Sequence, residues 1–108
     1  MMSRQSRFSI IFAPEVVDHL AAIERKHHSL IESALDEQLT FNPAQETRNR
    51  KVLEQPAPFS ATWELRFGPK NCFRAFYEVN SLEKAVIVLA IGVKEGDRLF
   101  VGKEEFET

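Results

Sequence analysis

The chain of 108 residues contains few of the residues that small enzymes commonly use for chemistry, with one cysteine, three histidines and four glycines. Because Cys72 is the only cysteine, it cannot form an internal disulfide, which fits a reducing compartment. The sequence contains no phosphate-binding glycine loop, no GxSxG, no HExxH and no CxxC pair. The local signatures of P-loop NTPases, α/β-hydrolases, zinc proteases and dithiol redox proteins are therefore missing.

Long apolar runs and clusters of metal ligands are also missing. Residues 1–7 are followed by only five largely apolar residues, too few for a signal-peptide core or a membrane span. His27 and His28 are adjacent, but no carboxylate or cysteine stands at ligand spacing from them, so a polar turn is predicted there. We therefore expect a cytoplasmic protein with no membrane partner, no metal and no cofactor.

The charges that are present are unevenly distributed. Residues 47–74 hold six basic and two acidic side chains, whereas residues 1–46 and 95–108 each have a net charge of −3. The length fits a single domain over residues 1–108, with residues 1–7 and 103–108 expected to be flexible. The basic region suggests a site for a polyanion or an acidic partner, and the alternative is a solvated charged loop.

The first half of the chain predicts a strand followed by two helices. Residues 8–12 read as a short, largely buried strand, and Pro14 is suited to the first position of a helix that extends to about Lys26. Ser29 and Glu32 have the spacing of a capping box, so the second helix is predicted to begin there and to end before Asn42. We expect this helical hairpin to lay its apolar side on a sheet.

The second half predicts strands. Residues 42–59 contain three prolines and read as a loop with room for a short strand. Residues 85–91 form a continuous apolar run, typical of a central strand covered on both faces, which residues 92–98 are expected to end. Residues 99–101 can pack back on the sheet. The predicted fold class is α+β, with a short N-terminal strand, a helical hairpin and a three-stranded antiparallel meander.

A β-hairpin is the clearest local feature. Residues 61–67 and 73–79 alternate apolar and polar side chains, and a Gly-Pro-Lys-Asn segment lies between them. If both apolar stripes face one core, the numbers of two residues that lie opposite each other must add up to an even number. A sum of about 138 leaves room for the turn between the strands. This register places Glu64 opposite Arg74 and predicts one core face and one face of ionisable groups. Arg74 is then either a fixed phosphate-binding fork or half of a cross-strand ion pair with Glu64.

Three segments in this order resemble the RelE/ParE superfamily, the toxins of bacterial type II toxin–antitoxin modules. They are Trp-Glu-Leu-Arg at 63–66, Phe-Arg-Ala-Phe-Tyr-Glu-Val at 73–79, and the apolar run 86–91 followed by Gly-Val-Lys at 92–94. The resemblance extends from residue 8 to about residue 100 and implies a RelE-like sheet. Some members of the superfamily cleave mRNA on the ribosome, and others inhibit DNA gyrase without cutting RNA.

For the branch that cleaves RNA, the resemblance implies attack of a ribose 2′-OH on the adjacent phosphate, which needs cations and proton transfer. It makes Arg74 the phosphate clamp, Lys94 and Arg66 supporting cations, and Glu64 a candidate base. The residues expected to contact RNA are Arg48, Arg50, Lys51, Arg66 and Phe100, the last by stacking on a base.

The sequence also departs from the superfamily pattern. Thr62 and Glu64 stand where relatives often have lysine, and Phe100 stands where a tyrosine often acts, so a proton donor is missing. These departures favour the alternative of a non-hydrolytic protein, either a gyrase inhibitor or an inactive member. In either toxin reading, the implied partner is an antitoxin whose acidic amphipathic segment covers the basic face and the helices.

Overall fold

The computed structural model describes residues 6–106 and has an α+β architecture, which confirms the predicted class. The helices are α1 (Val16–Ala21) and α2 (His28–Leu39), with single 3-10 turns at Arg25–His27, Pro58–Ser60 and Pro69–Asn71. The strands are β1 (Ser9–Phe12), β2 (Arg50–Val52), β3 (Trp63–Phe67), β4 (Phe73–Asn80), β5 (Ala85–Glu95), β6 (Arg98–Val101) and β7 (Glu104–Phe106). None of the helices between residues 6 and 106 has the length and apolar character needed to cross a membrane.

All strands of the described part belong to one sheet with the order β2-β3-β4-β5-β6-β7, and β1 lies parallel to β5. The other pairs are antiparallel, and β5 is central, as its apolar run predicts. The predicted three-stranded meander was too small because β5 continues through Gly92 to Glu95 and then turns directly into β6.

The two ends of the chain that were predicted to be flexible differ from each other in the structure. Residues 103–106 are not a loose tail, since Glu104–Phe106 pairs with β6 as an edge strand. Ser6 and Arg7 belong to no helix or strand, while residues 1–5 and 107–108 lie outside the described part.

The helical region is shorter and more broken than predicted. The chain is extended at Glu24, so α1 ends at Ala21 and residues 25–27 form a separate turn. The capping box was wrong, because α2 begins at His28 and no side chain caps it. Instead, His28 is half-buried, and its Nε2 lies 2.9 Å from the carbonyl oxygens of Leu20 and Ile23. It ties the end of α1 to the start of α2.

The hairpin is present, but its predicted register was wrong by two residues. The numbers of two opposed residues add up to 140, so Arg66 faces Arg74 and Glu64 faces Phe76. The turn is longer than expected because residues 69–71 form a 3-10 turn with left-handed backbone at Lys70 and Asn71. Since the shift is even, the two apolar stripes still face the same side.

Two cores cover the two faces of the sheet. The larger core lies under the helices and contains Leu35 of α2, Leu65 of β3 and Tyr77 of β4. The Tyr77 hydroxyl donates to the Pro43 carbonyl oxygen at 2.7 Å, and burial raises the pKa of this phenol. The smaller core lies on the other face and includes Ala61, Phe76, Ala90, Leu99 and Val101. The prediction that this second face would be a row of ionisable groups was therefore only half right.

Candidate functional site: an arginine–glutamate cluster

The face of the sheet opposite the helices, called the site face below, carries the charged side chains of the hairpin. Leu65, Ala75 and Ile91 point into the larger core, and neighbouring residues of a strand point to opposite faces. Glu64, Arg66 and Arg74 consequently lie on the site face. Their neighbours there include Gly92, which pairs with Arg74.

Glu64 lies between the two arginines and contacts both. Arg66 Nε donates to Glu64 Oε1 at 2.9 Å, and Arg74 Nη1 lies 3.7 Å from Glu64 Oε2. The side chains of Glu64 and Arg74 are only 11% and 10% exposed, whereas that of Arg66 is 41% exposed. These three residues, the Arg–Glu–Arg cluster, have a net charge of +1, and Arg66 is the member that a ligand can reach first.

The backbone of the hairpin turn braces Arg74. Arg74 Nε donates to the carbonyl oxygen of Asn71 at 3.3 Å. Burial is the main cause that lowers the pKa of Arg74, followed by the charge of Arg66, while Glu64 opposes both. A guanidinium that is desolvated and held in one orientation is suited to bidentate binding of an anion.

Asn49 connects the two arginines through the backbone, a link that the sequence did not reveal. Its Nδ2 donates to the carbonyl oxygen of Arg66 at 2.7 Å and to Oδ1 of Asn71 at 3.3 Å. Its own carbonyl oxygen accepts from the Arg66 N–H at 2.9 Å. Asn49 therefore holds together the strand that carries Arg66 and the turn that braces Arg74.

A cavity of about 360 Å³ lies beside the cluster on the site face. Its lining is mostly apolar, with two charged residues: Leu53, Pro56, Pro58, Glu64, Arg66, Phe76 and Leu99. The proline-containing loop forms one wall because Phe59, which follows Pro58, packs against Phe76 in the smaller core, with ring centroids 5.5 Å apart. The arrangement offers a cation at the edge of an apolar pocket, typical of a site for a ligand with an anionic end.

The structure brings together some of the predicted site residues. Lys94 pairs with Leu99 of the smaller core and thus lies on the site face, half-buried. Lys51 pairs with Glu64 and is exposed on the same face, and Arg48 is exposed in the loop before β2.

Two of the predicted RNA contacts lie elsewhere. Arg50 is buried on the helix side, where its Nη1 donates to the Gln38 carbonyl oxygen at 2.7 Å and its Nε to that of Gln45 at 3.0 Å. It satisfies a carbonyl in the last turn of α2, a structural role. Phe100 pairs with Val93 and lies between Leu99 and Val101, so its side chain points away from the site face.

The geometry and the net positive charge of the cluster are suited to binding an anion. Both carboxylate oxygens of Glu64 are engaged by guanidinium groups. A phosphate that displaces Glu64 from one arginine would form a charge-assisted contact and free an oxygen of the carboxylate. A substrate can therefore reach an oxygen of Glu64 only after a ligand has rearranged the cluster.

The fold has a counterpart among solved structures. It matches a chain in the crystal structure of the toxin–antitoxin complex RelBE2 from Mycobacterium tuberculosis with a TM-score of 0.69 and 15% sequence identity. The match covers 86% of this chain and 98% of the other. At this identity, the likeness is one of fold. No family model matches the chain, and no curated protein matches its sequence.

Proposed function

We propose that the protein is the toxin component of a type II toxin–antitoxin system of the RelE/ParE type, and that it inhibits translation in the cytoplasm by cleaving mRNA on the ribosome. The observation that carries the proposal is the pairing of Arg66 with Arg74 across the hairpin, beside a cavity on the site face. The fold shared with a chain of a toxin–antitoxin complex supports the toxin–antitoxin role.

In the proposed reaction, the 2′ oxygen of a ribose attacks the adjacent phosphorus, and the bond from phosphorus to the 5′ oxygen breaks. Arg66 receives the phosphate first because it is the exposed member of the cluster, and Arg74 binds the same group from its braced position. Glu64, released from one arginine, takes the 2′ proton. Lys94, on the same face, supports the charge of the departing 5′ oxygen, which is protonated by water.

A second candidate is a non-hydrolytic toxin that binds DNA gyrase, or a member of the superfamily that has lost its activity. Two observations favour it: both oxygens of Glu64 are ion-paired, and Phe100 lies on the face away from Arg74. In this version, the Arg–Glu–Arg cluster is a binding surface only. The partner expected in both versions is an antitoxin with an acidic amphipathic segment, which the net positive cluster would attract.

Expression of the chain in bacteria, with growth and mRNA 5′ ends followed together, tests the proposal. We expect growth arrest with cleavage in phase with codons, and loss of both in Arg74→Ala and Arg66→Ala. Arg25→Ala, at an exposed position on the 3-10 turn after α1, is the matched control and should remain toxic. Thermal melts of the purified variants separate loss of the site from loss of the fold, and Arg66→Ala is the safer variant because Arg66 is half-exposed.

The other outcomes lead to different conclusions. Growth arrest with induction of the DNA-damage response and intact mRNA would indicate that the toxin acts on DNA gyrase instead of mRNA. Full growth with soluble, folded protein would reject a toxin acting on either target.

A further inference from the structure

A groove of about 450 Å³ lies on the helix side of the sheet, between β1 and α2, away from the Arg–Glu–Arg cluster. Its apolar lining is Ile10, Phe12 and Leu35, and its polar lining is Glu32, Ser33 and Asp36 of α2. The groove thus has an apolar floor and an acidic wall.

The groove runs beside an open strand edge. The N–H groups of Ser9 and Ala13 donate to the carbonyl oxygens of Lys84 and Val88, toward β5. Because successive residues of a strand point their hydrogen-bonding groups to opposite sides, the N–H and C=O groups of Ile10 and Phe12 point outward. Within residues 6–106, β1 has β5 as its single strand partner. The Phe8 N–H, just before β1, is bonded to the Thr40 carbonyl oxygen, so the edge is open to another strand at Ile10 and Phe12.

Apolar side chains are exposed on both faces of the same strand. Phe12, on the groove side, is 45% exposed, and Ile11, on the other side, is 50% exposed. An added strand would cover both, because its side chains would alternate between the same two faces. Isolated exposed apolar residues are common, but two in succession on an unpaired edge are typical of a strand-addition site.

The acidic wall determines the charge of the segment that fits. Helix α2 contains Glu32, Asp36 and Glu37 and no lysine or arginine. Glu32 and Asp36 are one turn apart, a spacing at which like charges on a helix repel each other. Neither forms an ion pair with a basic side chain of the described residues, so a ligand's cations would relieve this repulsion.

We propose that this groove binds an extended segment of a partner protein in which lysine or arginine alternates with apolar residues, and that the segment pairs with the edge of β1. Residues four apart on a helix are separated by about 6 Å along its axis, and alternate residues of a strand by about 6.6 Å, so two basic side chains can meet Glu32 and Asp36. Their aliphatic stems cover the Phe12 ring, and the intervening apolar side chains cover Ile11.

A second copy of the chain is a poorer occupant. Its own β1, Ser-Ile-Ile-Phe, has no basic residue to place against the acidic wall. Pairing of two β1 edges would also bring the glutamate and aspartate of each copy toward those of the other. The charge of the groove therefore favours a different protein as partner.

Binding of a synthetic heptapeptide, Arg-Val-Arg-Val-Arg-Val-Arg, to the full chain tests the proposal by isothermal titration calorimetry at low salt. We expect saturable binding that the double variant Glu32→Gln/Asp36→Asn weakens by about tenfold or more. Glu37→Gln is the matched control, since Glu37 is exposed on the same helix but does not line the groove, and it should change the affinity by less than about twofold.

A second measurement separates strand addition from general attraction of cations. Amide exchange followed by NMR should slow at Ile10 and Phe12 when the peptide binds, because their outward N–H groups gain acceptors. A peptide of the same composition with its four arginines in one block should bind more weakly and give no such protection. Failure of the alternating peptide to bind, equal affinity for the double variant, or equal binding of the block peptide would each overturn the proposal.

Discussion

Arg74 reaches Glu64 diagonally, with Nη1 of the arginine 3.7 Å from Oε2 of the glutamate, although the residue directly opposite Arg74 is Arg66. Two arginines facing each other across a strand pair repel, and the glutamate between them offsets that repulsion. The same carboxylate that we propose as a base is therefore also what allows the two cations to share one site. Its removal should have separable effects on stability, binding and chemistry.

Glu64→Gln should lower the free energy of unfolding by about 1–3 kcal/mol, because the largely desolvated Arg74 and the half-exposed Arg66 lose their counter-charge. The same change should strengthen binding of single-stranded RNA and make it more sensitive to salt, since the net charge of the cluster rises by one. Denaturant titration and fluorescence anisotropy measure the two effects. Glu54→Gln makes the same charge change at an exposed position and should leave stability nearly unaltered.

Cleavage of mRNA by the Glu64→Gln variant tests whether Glu64 is the base of the proposed reaction. Loss of mRNA cleavage with retained RNA binding agrees with Glu64 as the base. Unchanged cleavage would exclude that role.

Arg50 and Lys51 are neighbours with opposite expected behaviour. Arg50→Met should lower the free energy of unfolding by about 2 kcal/mol or more, because the carbonyl oxygens of Gln38 and Gln45 lose a charged donor. Lys51→Met should leave stability nearly unchanged and weaken RNA binding, because Lys51 is exposed beside Glu64 on the site face. Denaturation and RNA titration of both variants check the prediction, which fails if Arg50→Met alters RNA affinity without loss of stability.

Gly92→Ala should destabilise the protein by about 1–3 kcal/mol through overpacking. A Cβ atom at this position would lie 2.8 Å from both the Phe100 carbonyl oxygen and Cγ2 of Val101, and a backbone oxygen cannot move aside alone. The clash should loosen β6, so amide exchange of β6 should accelerate more than that of β3. A thermal melt within a degree of the parent protein would contradict this packing.

His19 should make the protein less stable in mild acid. The N–H of Ile91 donates to His19 Nδ1 at 3.3 Å, so this nitrogen must be unprotonated, and burial lowers the pKa of His19 below its ordinary value of 6.5, partly opposed by Asp18 and Glu15. Because the unfolded chain then binds more protons than the folded one, stability falls as pH drops below about 6.5 toward the folded pKa.

Denaturant titrations at several pH values check this dependence. His19→Asn keeps an acceptor near the Ile91 N–H but cannot titrate, so the loss of stability in acid should be smaller than in the parent. An identical acid profile for the two proteins would show that other groups cause it.

Several elements could be predicted from local sequence patterns alone. The period-two alternation identified the hairpin and its core-facing stripe, and the apolar run of residues 85–91 identified the central strand, since both signals reflect burial residue by residue. Glu64, Arg66 and Arg74 could be assigned to one face for the same reason. The predicted fold class followed from the order of these elements.

The partners of the side chains depend on long-range packing and could not be predicted in this way. The backbone of a five-residue turn shifted the hairpin by two residues, which preserved the faces but replaced Glu64 with Arg66 opposite Arg74. Arg50 lies against the end of α2 rather than facing a ligand, because the carbonyl oxygen of Gln38 there accepts from its guanidinium group. Contacts of this kind join residues far apart in the chain, and no local pattern specifies them.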